Sequence, residues 1–195
     1  MIMSTLTEKR NLIGEIQDAF IERGLGGDSM RRQALDLFLT KGFPGPKSEE
    51  YKFTPITRLL EKVLDLNNVI RAEMISTPVS IPIDQLKCNL VAFVNGQFSK
   101  ERSVLLDKEI RIQSEAAGDA KAESDPFDLL NQAFANEVVQ ISIDSKKSIQ
   151  HPLAIVYYFD SPKFVFANPR WRCIVGSQSS VSLLEYVHGT AASIY

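Results

Sequence analysis

Four side chains in this sequence could bind a soft metal ion, those of its two cysteines and two histidines. They are Cys88, Cys173, His151 and His188. A local zinc or iron–sulfur site usually takes neighbouring ligands from a short motif, with two residues between cysteines or about three between histidines. No two of the four residues stand at such a spacing, so the sequence predicts no metal-binding residue.

Each of these residues also has a structural interpretation. Cys173 alternates with the apolar residues Trp171 and Val175, and Cys88 stands at the entrance of a predicted strand. Free cysteine is among the most buried residue types and packs as a small hydrophobe. Both histidines fall in predicted loops, one before a proline and one after a predicted strand. We therefore expect packing and solvated roles, and no cofactor.

Three further segments have residue types found in reaction centres but lack the full pattern. Ser179 and Ser180 lie in a predicted turn without the G-x-S-x-G motif that exposes a nucleophile. The glycine-rich segment 24–29 has no lysine and follows a predicted helix instead of a strand, unlike a phosphate-binding loop. Glu49 and Glu50 are flanked by lysines, as on a solvated surface. We predict no catalytic and no cofactor-binding residue, and hence no enzyme.

The composition is that of a globular protein, with 44% hydrophobic and 24% charged residues. The formal net charge is −2, and no basic stripe with interleaved aromatic residues is present, which argues against a nucleic-acid partner. The apolar runs are too short to cross a membrane, and the N-terminus lacks the pattern of a signal peptide. These features predict a cytoplasmic protein with no membrane partner.

Helical periodicity dominates the first third of the chain. Thr5 and Glu8 predict a capping box for the first helix, Asp28 or Ser29 the N-cap of the second, and Pro55 the first turn of the third. Apolar residues recur at helical spacing within each segment. The predicted buried faces are Leu12, Ile16 and Ala19 in the first helix, Met30, Ala34, Leu37 and Phe38 in the second, and Ile56, Leu59, Leu60 and Val63 in the third.

Strand patterns follow after residue 65. Residues 67–86 contain two prolines and predict an edge strand and a loop. Asn95-Gly96 between two apolar runs predicts a β-hairpin with a type I′ turn. A strand at 110–113 and a helix opened by Asp125 and Pro126 come next. Short strands are then predicted at 139–143, 155–159, 164–166, 172–175 and 181–186. Such strands suit either a sandwich or a β-solenoid.

Four segments of the chain, in order, resemble the SufB/SufD family of iron–sulfur cluster assembly proteins, and SufD-type members in particular. The first is the run GFPGPKSEEYKFTP at 42–55, which follows a matching helix at 31–38. The others are VAFVNGQF at 91–98, DLLNQAF at 128–134, and a segment that begins at Pro169 and Arg170 and ends at Tyr186. Tyr51 stands where tryptophan is commoner in the family, a substitution that keeps an amphipathic aromatic residue.

The resemblance implies an α+β fold with two domains. A helical and mixed N-terminal domain would occupy residues 1–136, and the first strands of a right-handed β-helix, or solenoid, would occupy 137–195. A solenoid rung cannot bury its apolar face without neighbours, and only one or two rungs would fit here. Either the chain is truncated or its last strands fold back onto the N-terminal unit, and we favour truncation.

The resemblance also implies a function. The family members are non-enzymatic scaffolds that act through protein–protein contacts in the Suf complex, with a SufB-like paralogue and the ATPase SufC as partners. SufC engages a C-terminal helical domain, so we expect no SufC contact by residues 1–195. A homodimer is a further alternative. Two other functions stay open, a β-rich protein-binding module unrelated to cluster assembly and an enzyme on a β-helix scaffold.

The segment 42–55, which we call the signature turn, itself has two interpretations. Its aromatic residues Phe43, Tyr51 and Phe53 could pin the turn against the helical unit, while Lys52 and Arg58 stay in solvent. Alternatively, the turn could be a docking surface for another protein. We favour the structural role, because glycine, proline and aromatic residues mainly determine backbone shape.

Overall fold

The computed structural model of the protein describes residues 11–45, 48–64, 66, 81–116, 120–159 and 166–189. Within these residues the α-helices are α1 (Leu12–Glu22), α2 (Ser29–Lys41), α3 (Ile56–Val63) and α4 (Pro126–Phe134). The strands are β1 (Asn89–Val94), β2 (Gln97–Val104), β3 (Ile110–Glu115), β4 (Val138–Ile143), β5 (Leu153–Phe159), β6 (Trp171–Val175) and β7 (Leu183–Gly189). The predicted capping box at Thr5 and Glu8, residues 67–80 of the predicted edge strand and loop, and residues 164 and 165 of a predicted strand lie outside the described residues. Residues Pro82–Gln85 form a 3₁₀ helix and not a strand.

The first two helices follow the sequence pattern closely. Asn11 caps α1 by accepting a 3.1 Å hydrogen bond from the backbone N–H of Gly14. The side chain of Asp28 caps α2, as predicted, and accepts from the backbone N–H groups of Met30 and Arg31. Helical spacing places one stripe of each helix in the core. The buried residues are Leu12, Ile16, Ala19 and Phe20 in α1, and Ala34, Leu35 and Phe38 in α2. Leu37, which was predicted to be buried, is only half-buried.

The third helix is packed less completely than its apolar stripe predicts. It begins at Ile56, one residue later than predicted. Leu60 packs against the helical core, but Leu59 is 50% exposed, so its predicted burial is wrong. Spacing identifies an apolar face but not how much of that face a neighbouring element covers.

The predicted hairpin is confirmed. β1 and β2 pair antiparallel, and the two turn residues Asn95 and Gly96 have φ angles of 47° and 87°. Two positive φ angles are the mark of a type I′ turn. The hairpin belongs to a four-stranded sheet in the order β2-β1-β5-β7, where β1, β5 and β7 run parallel. A three-stranded sheet has the order β3-β4-β6, with β3 antiparallel and β6 parallel to β4.

The strand arrangement contradicts the prediction of a right-handed β-helix. Both sheets are mixed, because each joins an antiparallel pair to parallel ones, and both are open among the described strands. The fold class is α+β with two mixed sheets that share one apolar core. Short alternating strands specify a buried face, but not the direction or identity of the paired strand, which is why the pattern allowed the wrong choice.

The buried residues form a helical core and two cores on the four-stranded sheet. Helix α4 joins the helical core through Leu129, Leu130, Ala133 and Phe134. The core between the sheets combines residues of both, which are Val91, Phe93, Leu153 and Ile155 from the larger sheet and Ile110, Val139, Ile141 and Ile143 from the smaller one. The outer face of the larger sheet is covered by Ile81 and Ile83. The predicted boundary between two domains, at residues 136 and 137, stays a prediction.

Candidate functional site

The aromatic residues of the signature turn pack onto α2 and α4. The ring of Phe43 meets Phe38 of α2 edge-on at 5.1 Å between centroids, and lies 5.9 Å from Phe127 at the start of α4. Tyr51 approaches the same Phe127 ring at 5.6 Å. Such tilted and edge-to-face pairs are favoured aromatic geometries. Phe43 and Tyr51 therefore pin the turn, as predicted.

A polar contact reinforces this packing. The hydroxyl of Tyr51 donates a 2.8 Å hydrogen bond to Oδ2 of Asp125, whose Oδ1 accepts from the backbone N–H of Phe127. Asp125 is therefore both the N-cap of α4 and the partner of the signature turn. Partial burial and the neighbouring Asp125 carboxylate raise the pKa of Tyr51 to about 12. The phenol thus stays protonated and donates throughout the physiological pH range.

The first turn and the middle of α4 are also tied to the segment that precedes β6. Nη1 of Arg170 donates to Oδ1 of Asp128 at 2.7 Å and to Oδ1 of Asn131 at 3.1 Å. Nδ2 of Asn131 in turn donates to the backbone carbonyl of Pro169 at 3.0 Å. The family-like segments 128–134 and 169–186 are therefore joined by side-chain hydrogen bonds.

The hairpin turn reaches the same segment through Gly96. A Cβ atom at Gly96 would lie 2.8 Å from Cβ and 3.0 Å from Cα of Ala167. The position also has a φ of 87°, where a side chain is strained. Only glycine suits both conditions. Three of the four segments that resemble the SufB/SufD family are thus joined through α4, and the hairpin approaches the residues just before the fourth.

Phe53 is the exception in the signature turn. Its side chain is 89% exposed, so the prediction that it pins the turn is wrong. Nζ of Lys52 lies 5.0 Å from the centroid of the Phe53 ring, a cation–π distance. Both side chains follow directly after Tyr51, which is anchored on α4. A nearly fully exposed aromatic residue on an anchored turn is the kind of side chain that acts as an anchor in protein interfaces.

The two cysteines pack against different cores. Cys88 packs against the outer core of the larger sheet, and Cys173 against the core between the sheets. Both thiols are free and half-buried, and burial raises the pKa of each, with Asp84 adding to the effect at Cys88. A thiol with a raised pKa forms little thiolate at neutral pH. Within the described residues, no three His, Cys, Asp or Glu side chains form a metal-binding group.

His151 has a partner that the sequence did not indicate. Its Nδ1 and backbone N–H face the carboxylate of Asp107, at 3.2 and 3.0 Å from Oδ2. The fully buried Asn89 donates to the same Oδ2 at 2.8 Å and to the His151 carbonyl at 2.9 Å. These bonds lower the pKa of Asp107, most strongly through Asn89. The cluster ties the starts of β1, β3 and β5, and no motif spacing would have revealed it.

The remaining candidates have structural roles, with one difference from prediction. His188 lies inside β7, and its ring is 6.3 Å from Tyr158, so its predicted place in a turn is wrong. Ser179 lies in a turn, where Oγ donates to the Asp144 carbonyl and accepts from the Lys147 N–H. Glu49 is exposed and lies 3.8 Å from the ammonium of Lys52.

Comparison with known proteins identifies the family of this chain. The family model described as the SufBD protein N-terminal region matches residues 10–117, which is more than half of the chain. The chain therefore belongs to the SufB/SufD family, whose members take part in iron–sulfur cluster assembly. No curated protein matches the chain. None of the helices in the described ranges is long and apolar enough to span a lipid bilayer.

Proposed function

We propose that this protein is a SufD-type scaffold component of the Suf iron–sulfur cluster assembly complex, and that it acts through protein–protein contacts without catalysing a reaction. The observation that supports this proposal most directly is the exposed Phe53, two residues after Tyr51, which is anchored on α4. Membership of the family indicates a role in iron–sulfur cluster assembly. The anchored turn offers a surface for a partner protein.

The contrast between the packed rings of Phe43 and Tyr51 and the exposed ring of Phe53 supports a role of the turn in binding a partner. The rings of Phe43 and Tyr51 pack against α2 and α4. The hydroxyl of Thr57 donates a 2.8 Å hydrogen bond to the Pro44 carbonyl. These contacts stabilise the backbone on both sides of Phe53. Because the backbone around Phe53 is already ordered, less conformational entropy is lost when a partner covers its side chain.

In this proposal the partner is a SufB-like paralogue in the cytoplasm. SufC is not bound by residues 1–195, because the family's SufC contact belongs to its C-terminal helical domain. A homodimer in place of the SufB-like pair is the competing assembly.

A pull-down tests both partner assignments. The tagged protein should retain a SufB-like paralogue and should not retain SufC. Phe53→Ser should weaken binding by about thirtyfold, because truncating an interface aromatic anchor costs on the order of 2 kcal/mol. Ile21→Ser is the matched control, since Ile21 is 72% exposed on α1 and lies outside the signature turn. Equal binding by both variants, or strong retention of SufC, would contradict the proposal.

A further inference from the structure

A polar cavity lies between α4 and the beginning of β6. Its volume is about 510 Å³, which falls within the range of about 300–1,000 Å³ that small-molecule sites occupy. α4 lines one side with Asp128, Asn131 and Gln132, and the segment 169–172 lines another. Both sides belong to segments that resemble the SufB/SufD family, and the described residues that line the cavity include none from the signature turn.

Arg170 turns an uncommitted edge of its guanidinium group to this cavity. Nη1 of Arg170 donates to Oδ1 of Asp128 and to Oδ1 of Asn131. Among the described residues, Nε and Nη2 of Arg170 have no acceptor. The N–H groups of Nε and Nη2 point the same way, and their spacing matches two oxygens of a carboxylate or a phosphate. This edge of Arg170 therefore fits a two-point contact with an oxyanion.

Arg172 adds a third donor on the same face of the strand. The N–H of Val139 donates to the Arg170 carbonyl at 2.9 Å, so the pairing of β4 with β6 extends to Arg170. Because residues two apart on a strand project to the same face, Arg170 and Arg172 are neighbours there. Arg172 donates through Nε to Gln140 at 2.7 Å and through Nη2 to Glu115, and its Nη1 has no acceptor in the described part of the chain.

The walls of the cavity are held in place before a ligand binds. Asn131 accepts from Nη1 of Arg170 at 3.1 Å and donates to the Pro169 carbonyl at 3.0 Å. The side chain of Arg170 is only 27% exposed, and Gln132 is only 3% exposed. Since the guanidinium group is already oriented, binding an oxyanion costs little further side-chain entropy.

The charges around the cavity limit the kind of ligand that it suits. Asp128 pairs with Arg170 and Glu115 with Arg172, so the two carboxylates neutralise the two cations. They occupy Nη1 of Arg170 and Nη2 of Arg172, which leaves the other donors in place. The cavity thus offers directed N–H groups without an excess of positive charge. Such a site suits one oxyanion group, and not a polyanion such as a nucleic acid.

We propose that this cavity binds a small molecule through one oxyanion group, a carboxylate or a phosphate. Nε and Nη2 of Arg170 bind two oxygens of the group, and Nη1 of Arg172 donates to it as a third contact. The cavity is separate from Phe53, and its binding of an oxyanion does not depend on the role in cluster assembly.

An NMR titration of the whole chain tests this site. The probes are inorganic phosphate and malonate, which carry similar charges at neutral pH but present a tetrahedral and a planar oxyanion. At constant ionic strength, at least one probe should shift the Nε–H signal of Arg170 saturably, and chloride should leave that signal unchanged. A stronger response to phosphate indicates a phosphate ligand, and a stronger response to malonate indicates a carboxylate ligand.

The same titration has outcomes that would overturn the proposal. One is the absence of a saturable shift with either probe at millimolar concentrations, which is also the result expected if a carboxylate of the chain itself already occupied the Arg170 edge. Another is an equal shift with chloride, because a spherical ion makes no two-point contact.

Two substitutions separate ligand binding from a merely structural role of Arg170. Arg170→Lys keeps the charge but loses the two-point edge, so the affinity for the probe, read from the backbone amides of residues 169–172, should fall by about tenfold. Asp128→Asn keeps an acceptor for Nη1 but removes a negative charge beside Arg170, so the affinity should rise by about threefold. A purely structural contact predicts no such rise.

Arg111→Lys is the matched control for Arg170→Lys. Arg111 also pairs with a carboxylate, that of Asp144, but it does not line the cavity, so its substitution should leave the affinity unchanged. Circular dichroism checks that all three variants are folded. Equal affinity of Arg170→Lys and the unsubstituted protein, or weaker binding by Asp128→Asn, would contradict the proposed contact.

Discussion

The phenol of Tyr51 and the carboxylate of Asp125 form a 2.8 Å hydrogen bond across 74 positions of the chain. The bond closes the signature turn onto the first turn of α4, which Asp125 also caps. One carboxylate thereby begins a helix and holds a distant loop. The signature turn, one of the four family-like segments, is consequently held against α4, and Phe53 is exposed within it.

Removing the hydroxyl of Tyr51 should weaken the contact between the signature turn and α4. Tyr51→Phe keeps the ring packed against Phe127 but removes the hydrogen bond, and we expect a loss of about 1 kcal/mol in the free energy of unfolding. Urea denaturation measures the change. In an Asp125→Asn background, where the charge of the acceptor is gone, the same substitution should cost less. An identical loss in both backgrounds would show that the hydroxyl acts elsewhere.

The contact between Arg170 and α4 depends on guanidinium geometry. Arg170→Lys keeps the positive charge but cannot reach Asp128 and Asn131 with the same planar donor, so we expect a loss of about 0.5–1 kcal/mol. Asp128→Ala should cost a similar amount, and the double variant should cost less than the sum of the two. Thermal unfolding at low and high salt checks this prediction, and strict additivity would contradict it.

Gly96 should tolerate no side chain. Gly96→Ala adds a Cβ atom 2.8 Å from Cβ of Ala167 at a φ of 87°, and we expect a loss of about 1–3 kcal/mol in stability. Gly26→Ala is the control, because nothing lies within 4 Å of a Cβ atom there and its φ is not positive. Chemical denaturation of both variants measures the difference. Equal stability of the two would mean that the hairpin turn does not need this close approach.

Asp107 should make the protein sensitive to acid. Hydrogen bonds from Asn89 and His151 lower its pKa in the folded state, so its contribution is fully present above the ordinary aspartate pKa of about 3.9 and is lost as the pH falls through the lower folded value. The stability gap between the protein and Asp107→Asn should therefore be constant near pH 7 and should shrink below about pH 4.

Thermal unfolding from pH 7 to pH 3 measures this gap. Asp18→Asn is the matched control, since Asp18 lies on the exposed face of α1, and its gap should stay small at every pH. A gap for Asp107→Asn that grows in acid would contradict the assigned direction of the pKa change.

The sequence by itself determined the local elements of this protein. Caps such as Asp28 and Asp125, the Asn95-Gly96 turn and the apolar stripes of α1 and α2 act over a few residues, so their signals can be read along the chain. The four family-like segments were also recognisable, because each is a short run of fixed order.

Only the tertiary structure decided which elements meet. The pairing of β1 with β5 and of β4 with β6, which replaced the predicted β-helix by two mixed sheets, depends on long-range register that alternation does not encode. The Asp107–His151–Asn89 cluster and the Tyr51–Asp125 bond join residues that are distant in the chain and have no common motif. Exposure of Phe53 likewise depends on what other elements cover, and that is a property of the packed chain.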